Sequence, residues 1–141
     1  MEIKDYHIII VDDDPLDANM LAQMAGLTRH RVTSYDDPYR ALQSFMKEPA
    51  DLVVTDLNMP HINGFEMIKK MRGRAPAANF IVITGEKNIR SVIESRGLGV
   101  DYIFFKPVRI NEFTAAIETM FNRFRYWIDK IKEVESLHCS E

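Results

Sequence analysis

The sequence predicts a doubly wound α/β fold, in which helices cover both faces of a five-stranded parallel sheet. Short apolar runs rich in β-branched residues alternate along the chain with stretches of helical spacing. The first, third and fourth runs are apolar almost throughout, as expected of strands covered on both faces. Because strand and helix alternate regularly, right-handed crossovers would place helices on each side of one sheet.

The five apolar runs are the predicted strands. They cover residues 7–11, 31–35, 51–55, 80–84 and 102–105. The first two helices have clear start signals, because an aspartate that can cap a helix precedes a proline at the first helical position. These signals are Asp14-Pro15 and Asp37-Pro38.

Three further helices complete the alternation. The third is expected to end near Gly73 and the fourth, a short helix, at Gly97. The fifth is expected to begin at Asn111, a residue that favours the N-cap position.

The apolar pattern of the fifth helix continues beyond the length that its own sheet needs. Spacings of four and three residues alternate without a break, which is typical of a coiled-coil seam. We expect this segment to pair with a second copy or with a partner helix. The alternatives are that it folds back on its own domain or is a linker within a longer protein. The positions are Phe113, Ile117, Met120, Phe124, Trp127, Ile131 and Val134.

The composition excludes several classes of protein. A chain of 141 residues accommodates one domain of about 120 residues and leaves about twenty over. The net charge of −3 argues against a general nucleic-acid binder. No apolar run approaches the roughly 20 residues of a membrane span, and the single cysteine, Cys139, cannot form an intramolecular disulfide. We therefore expect a cytoplasmic protein that contacts neither nucleic acid nor membrane.

Polar residues end or directly follow four of the predicted strands, at the edge where open α/β sheets carry their ligand sites. They are Asp12 and Asp13, Asp56, Thr84 and Lys106. Each alone is compatible with an ordinary cap, turn or loop, but their common position predicts one cluster. Crowded carboxylates suit a hard cation such as Mg²⁺, which can also accept a phosphate oxygen. An aspartate in such a cluster can be the nucleophile that takes up a phosphoryl group.

Four motifs carry a resemblance to a known family. The sequence is similar, over roughly residues 5–121, to the receiver domain of bacterial two-component response regulators, including the chemotaxis regulator type. The resemblance implies a flavodoxin-like sheet with strand order 2-1-3-4-5. The motifs are Ile-Ile-Val-Asp-Asp-Asp-Pro at 9–15, Asp-Leu-Asn-Met-Pro-His-Ile-Asn-Gly at 56–64, Val-Ile-Thr-Gly at 82–85 and Phe-Lys-Pro at 105–107.

The resemblance implies a role for each acidic residue. Asp56 would be the phospho-acceptor, taking the phosphoryl group from a partner histidine kinase or histidine phosphotransfer protein. Asp12 and Asp13 would hold Mg²⁺ together with Asp56 and the backbone carbonyl of Asn58.

The resemblance also implies roles for the residues around the acceptor. Lys106 would bind the phosphoryl oxygens, and a cis peptide would join it to Pro107. Thr84 would be the switch hydroxyl, and Asn58 and Glu86 would tune the lifetime of the acyl phosphate.

Two positions depart from the family pattern. The family often carries an aromatic residue three positions before the lysine, where this chain has Ile103. Tyr102 is one residue earlier and should point to the opposite face of the sheet. Gly85 follows Thr84 where the family prefers alanine, which leaves more room beside the acceptor.

The predicted function is therefore that of a signalling module and not of an enzyme acting on other substrates. Residues 1–121 would form the receiver, and residues 122–141 a helical extension that allows a homodimer. Phosphorylation would switch the face formed by the fourth helix, fifth strand and fifth helix. Two alternatives share parts of this chemistry, a Mg²⁺-dependent phosphatase of the haloacid dehalogenase type and an FMN carrier. The phosphatase class expects Gly-Thr where Pro15 and Leu16 stand, and three aspartates after the first strand would repel the FMN phosphate.

Overall fold

A computed structural model describes residues 5–139, in which five strands and five helices alternate. No helix in this range is long and apolar enough to cross a membrane. The elements are β1 (His7–Val11), α1 (Pro15–Gly26), β2 (Arg31–Tyr35), α2 (Pro38–Lys47), β3 (Leu52–Asp56), α3 (Gly64–Arg74), β4 (Asn79–Thr84), α4 (Ile89–Gly97), β5 (Tyr102–Phe105) and α5 (Ile110–Cys139).

The sheet has the order β2-β1-β3-β4-β5 with every neighbouring pair parallel, which confirms the predicted fold class. After β1 the chain forms β2 on one side of β1 and then crosses over to form β3 on the other side. The carboxyl ends of β1 and β3 are therefore neighbours, and Val11 pairs with Thr55. This register places Asp12 beside Asp56.

The third strand is shifted by one residue from its prediction. It ends at Asp56, which pairs with Ile83, so the acidic residue belongs to the strand and does not follow it. Asp51, predicted to open the strand, instead accepts a hydrogen bond from the backbone N–H of His7 through its carboxylate (2.9 Å). A polar side chain that caps a neighbouring strand cannot be recognised from apolar patterning alone.

Helix starts agree with the sequence at two positions and differ at a third. The carboxylates of Asp14 and Asp37 accept hydrogen bonds from the backbone N–H groups of Leu16 and Tyr39, as predicted. Asn111 was expected to cap α5, and this is wrong because the helix begins one residue earlier. The carbonyl of Arg109 already accepts the N–H of Phe113 (3.0 Å), so Asn111 lies within the first turn.

The short helix α4 leaves its apolar side chains in solvent. Ile89, Val92 and Ile93, which have helical spacing, are all exposed, and the buried residue of α4 is Ser95. The face formed by α4, β5 and α5 therefore presents apolar surface that is available for contacts.

Helix α5 is continuous and extends past the sheet. Phe113, Ile117 and Met120 are fully or almost fully buried against the face that α1 also covers. Trp127 is 61% exposed. The C-terminal segment thus prolongs the helix and does not fold back on its own domain.

Aromatic rings surround α5 where it passes the amino ends of β1 and β2. Tyr6 stacks on Phe121 with ring centroids 4.2 Å apart, and Phe124 contacts the edge of Tyr6 at 5.6 Å. The ring of His30 packs against both Tyr6 (5.3 Å) and Phe121 (4.7 Å). Burial lowers the pKa of His30 below its usual 6.5, so folding disfavours protonation of this ring.

We expect His30 to make the protein less stable in mild acid. The unfolded chain takes up a proton as pH falls below about 6.5, whereas the partly buried ring resists it, so the free energy of unfolding decreases with falling pH. The free energy of unfolding in urea should differ less between about pH 7.5 and pH 5.5 in His30→Phe than in wild type. His61→Gln is the control, because His61 is exposed. An equal pH dependence of wild type and His30→Phe would contradict the expectation.

Candidate functional site

Three carboxylates meet at the carboxyl edge of the sheet. Asp12 follows β1 and is fully buried, and Asp56 ends β3 and is 8% exposed. One carboxylate oxygen from each of Asp12, Asp13 and Asp56 lies within 4.8 Å of the other two. The adjacency of β1 and β3 brings Asp56 to Asp12 and Asp13 although more than forty positions separate it from them in sequence.

Lys106 is the cation of the site. It follows β5, and its Nζ donates hydrogen bonds to Oδ2 of Asp12 (2.9 Å) and Oδ2 of Asp56 (3.1 Å). A third bond runs to Oδ2 of Asp17 (3.0 Å), on the first turn of α1. Its three N–H donors are thus matched by three carboxylates.

Sequence reasoning missed Asp17. Asp17 does not directly follow a strand but lies in the first turn of α1. The available signal was its place in the first turn of α1, the helix that begins at the carboxyl edge of the sheet.

The charges of the site are unbalanced, since one ammonium group faces four carboxylates. Burial raises the pKa of Asp12 above its usual value, against the opposing effect of Lys106 and the backbone N–H of Asp14. Burial alone would lower the pKa of Lys106, but its hydrogen bonds to Asp12, Asp17 and Asp56 raise it above the ordinary value. Two carboxylates about 4 Å apart repel by about 4 kcal/mol at an effective dielectric constant near 20. The all-oxygen donor set and excess negative charge fit a hard divalent cation such as Mg²⁺.

The carboxylate of Asp56 is held on both sides. Oδ1 accepts hydrogen bonds from the backbone N–H groups of Leu57 (2.7 Å) and Asn58 (3.4 Å), while Oδ2 faces Lys106. Gly64 at the start of α3 donates its N–H to the carbonyl of Leu57 (3.0 Å), so α3 packs closely on this loop. These contacts hold the carboxylate of Asp56 in one orientation.

Three local features shape the backbone at the ends of β4 and β5. The carbonyl of Thr84, the buried last residue of β4, accepts the backbone N–H of Lys106 (2.9 Å). The hydroxyl oxygen of Thr84 accepts the backbone N–H of Glu86 (3.1 Å). The peptide between Lys106 and Pro107 is cis.

Comparison with known proteins identifies the family. The family described as "Response regulator receiver domain" matches residues 8–118. The chain belongs to this family. The family match supports the signalling assignment, and no observation supports the phosphatase alternative.

Individual relatives and solved structures agree with this assignment. The two-component response regulator ORR11 of rice is 34% identical over 107 residues, which are 73% of this chain and 72% of the relative. A probable chemotaxis protein CheY of Rhizobium etli is 27% identical and aligns with 84% of this chain and 94% of its own length. The CheY-like receiver domain of Methanospirillum hungatei has the same fold, with a TM-score of 0.79 at 22% identity over 85% of this chain and 96% of its own.

The other predicted positions lie in the loops after β3 and β4 and within β5. Asn58 and Glu86 are exposed, in the loops after β3 and β4. Ile103 packs on the apolar face covered by α2 and α3, whereas Tyr102 packs on the opposite face and stacks on Phe104 (6.0 Å). The ring of Tyr102 therefore lies on the face of the sheet opposite to Ile103.

An apolar cavity of about 360 Å³ adjoins Lys106 on the receiver. Met20 and Met24 of α1 line one side, and Pro107 and Val108 line the other. Leu16, one turn before Met20, is also exposed. Apolar surface next to a charged site is typical of a place where another protein binds.

Proposed function

We propose that this receiver accepts a phosphoryl group on Asp56 from the phosphohistidine of a histidine kinase or histidine phosphotransfer protein. The observation that carries the proposal is the contact of Lys106 with both Asp56 and Asp12, within a cluster of carboxylates. This arrangement offers a nucleophile, a cation for the transferred group and a set of metal ligands within one site.

The transfer follows from the chemistry of these side chains. One carboxylate oxygen of Asp56 attacks phosphorus, and the new oxygen–phosphorus bond forms as the phosphorus–nitrogen bond breaks. The electron pair of the broken bond returns to the imidazole nitrogen. Lys106 exchanges its hydrogen bond with Asp56 for one with a phosphoryl oxygen, because that group then carries the charge.

Magnesium would be held by the carboxylates of Asp12, Asp13 and Asp56 and by the backbone carbonyl of Asn58. These are oxygen ligands at the carboxyl edge of the sheet, and three of them already lie within 4.8 Å of one another. A bound Mg²⁺ supplies positive charge that offsets both the carboxylates and the phosphoryl oxygens.

Residues around Asp56 are proposed to control the conformational switch and the lifetime of the phosphoryl group. Thr84 is proposed to move its hydroxyl toward the phosphoryl group, and Asn58 and Glu86 to tune how fast water removes it. Because Ile103 replaces the usual aromatic residue, movement of Thr84 would be coupled to an aliphatic side chain that already packs in the core. The output is a change in the face of α4, β5 and α5, where apolar residues of α4 are exposed.

The kinase or phosphotransfer protein is proposed to dock on α1 and the segment after β5. Leu16 and Met20 are exposed there, and the apolar cavity beside Lys106 borders the acceptor. A helix of the partner laid on this surface would bring its histidine to Asp56. We propose that this occurs in the cytoplasm, on the basis of composition.

We propose residues 1–121 as the receiver and residues 122–141 as the helical extension. The family match ends at residue 118, while α5 continues to Cys139, which supports a boundary within this helix. Residues 1–4 and 140–141, at the two outer bounds, lie outside the described residues. The extension is proposed to support a homodimer.

Incubation with acetyl phosphate tests the proposed function. We expect wild type to take up one phosphoryl group when Mg²⁺ is present and none after the metal is chelated. Asp56→Asn should take up none, and Asp36→Asn, which alters an exposed aspartate after β2, should behave as wild type. Equal labelling of wild type and Asp56→Asn would overturn the site, and labelling unaffected by chelation would overturn the metal's role.

A further inference from the structure

Asp17 contacts Lys106 but has no part in the phosphoryl transfer proposed above. The Nζ atom of Lys106 donates to Oδ2 of Asp12 (2.9 Å), of Asp17 (3.0 Å) and of Asp56 (3.1 Å). Within residues 5–139, the group of carboxylates that could share a metal ion consists of Asp12, Asp13 and Asp56. Asp17 is therefore neither the acceptor nor one of the proposed metal ligands.

The first turn of α1 places Asp17 at the carboxyl edge of the sheet. Leu21 follows Asp17 by four residues, so both side chains lie on one face of the helix. Leu21 is 4% exposed and packs in the core on the face of the sheet that α1 covers. The side chains of Asp17 and Lys106 are themselves only 33% and 26% exposed. Their ion pair is thus partly shielded, and salt screens it less than a pair on the open surface.

Two of the three contacts of Lys106 weaken when the site is loaded. A bound Mg²⁺ would draw on the carboxylates of Asp12 and Asp56, and one oxygen of Asp56 becomes part of the acyl phosphate. Both changes reduce the negative charge that these two groups offer to the ammonium group. The carboxylate of Asp17 keeps its full charge, since neither the metal nor the phosphoryl group takes it.

We propose that Asp17 is a positioning residue, which holds Nζ of Lys106 beside Asp56 while Mg²⁺ and the phosphoryl group occupy the site. The inference rests on the proposed transfer to Asp56. Lys106 has three N–H donors, so it keeps its bond to Asp17 while another donor turns to a phosphoryl oxygen. Lysine carries its ammonium group on a flexible four-carbon stem, and holding Nζ in place avoids the entropy loss of ordering this stem during the reaction.

Charge alone would give Asp17 the opposite effect. A fourth carboxylate at the site hinders the approach of an anionic phosphoryl donor. The contact with Lys106 offsets part of this charge, and solvent screens the rest because the side chain is one-third exposed. The two roles therefore differ in sign. Loss of Asp17 slows phosphoryl uptake if Asp17 positions Lys106, and accelerates uptake if Asp17 only adds charge.

A carboxylate in the first turn of a helix also stabilises that helix, whatever else it contacts. Glu66 has the same place in α3, which also begins at the carboxyl edge of the sheet, and its side chain is exposed. Glu66→Ala removes one negative charge and one first-turn acid, as Asp17→Ala does, but leaves Lys106 with its three carboxylate partners. Glu66→Ala is therefore the matched control.

Acetylation of Lys106 by an amine-specific reagent tests the contact without any phosphoryl transfer. The full chain is treated at saturating Mg²⁺, and mass spectrometry compares Lys106 with the exposed Lys87 of the same molecule. We expect Lys106 to react about tenfold faster in Asp17→Ala than in wild type, the effect of losing one hydrogen bond between charged groups. Glu66→Ala should react as wild type does. Equal rates at Lys106 in wild type and Asp17→Ala would overturn the proposal.

Phosphoryl uptake from acetyl phosphate at saturating Mg²⁺ measures the effect on the reaction. We expect Asp17→Ala to be slower than wild type by about tenfold, because a less well placed Lys106 serves the transferred group poorly. Asp17→Asn should lie between the two, since its amide oxygen can still accept a hydrogen bond from Lys106. Glu66→Ala should match wild type. Uptake by Asp17→Ala as fast as wild type, or faster, would contradict the positioning role.

A double variant separates positioning from a purely structural role. In a chain that already carries Lys106→Met, Asp17→Ala should cause no further slowing, because two residues that act through one contact are not additive. Further slowing would show that Asp17 acts independently of Lys106 and would refute the proposal. If wild type itself takes up no phosphoryl group, the proposed function fails, and the acetylation rates still decide whether Asp17 holds Lys106.

Discussion

Lys106→Met is expected to slow phosphoryl uptake from acetyl phosphate by about 100-fold or more, the usual effect of removing one charge-stabilising donor. Lys106 is the cation that contacts Asp56 at 3.1 Å, so its loss leaves the transferred group without that partner. Methionine preserves the length and apolar character of the side-chain stem, so packing changes little. The measurement is the rate of label incorporation at saturating Mg²⁺.

The same variant should bind Mg²⁺ more tightly, which separates a charge effect from misfolding. Removing the ammonium group leaves Asp12, Asp17 and Asp56 without their shared cation, and the site becomes more negative. Lys87→Met is the control, since Lys87 is exposed and lies over the ring of Phe105 (5.8 Å). If Lys106→Met lost Mg²⁺ binding and uptake together while remaining folded, the proposed separation of roles would be wrong.

Gly64→Ala is expected to lower the free energy of unfolding by about 3 kcal/mol, at the upper end of typical overpacking effects. A Cβ at this position would overlap the backbone carbonyl oxygen of Asp56 and lie 3.2 Å from Cα of Leu57. Both neighbours are backbone, so neither can rotate away. Because the backbone N–H of Gly64 donates to the carbonyl of Leu57, relief of the overlap would displace the loop that orients the carboxylate of Asp56.

Gly73→Ala provides the matched control in the same helix. Nothing lies within 4 Å of a Cβ at Gly73, and alanine favours a helix over glycine by about 1 kcal/mol, so this variant should be as stable as wild type or more so. Chemical denaturation of both variants is the measurement. Equal stability of Gly64→Ala and Gly73→Ala would contradict the expectation, because it would show that α3 moves away from the loop after Asp56 without loss of stability.

Local patterns predicted the fold because its determinants are short in range. β-Branched runs located the five strands, and the caps Asp14 and Asp37 located two helix starts. Boundaries that depend on a contact between elements were less accurate. Asp51 appeared to belong to β3 because nothing in its neighbourhood shows that its carboxylate bonds to His7.

In the candidate site, too, residues marked by local patterns were predicted and a residue placed by contacts between elements was not. Asp12, Asp56 and Lys106 were expected at one edge because they follow or end parallel strands, and the structure places them in contact. Asp17 was not expected, since only the packing of α1 against the sheet brings it to Lys106. When a helix carries the side chain, its distance in sequence from a strand end does not indicate whether it reaches the site.

By itself the sequence determined the alternation of strands and helices, the acidic and basic residues of the site and the uninterrupted seam of α5, because spacing and side-chain chemistry are properties of the local chain. The tertiary structure alone decided that Asp17 completes the contacts of Lys106 and that Gly64 adjoins the carbonyl of Asp56. It also decided which half of the seam is buried. Phe113 is covered and Trp127 is exposed although both belong to one repeat, because the sheet ends between them and a helix continues without it.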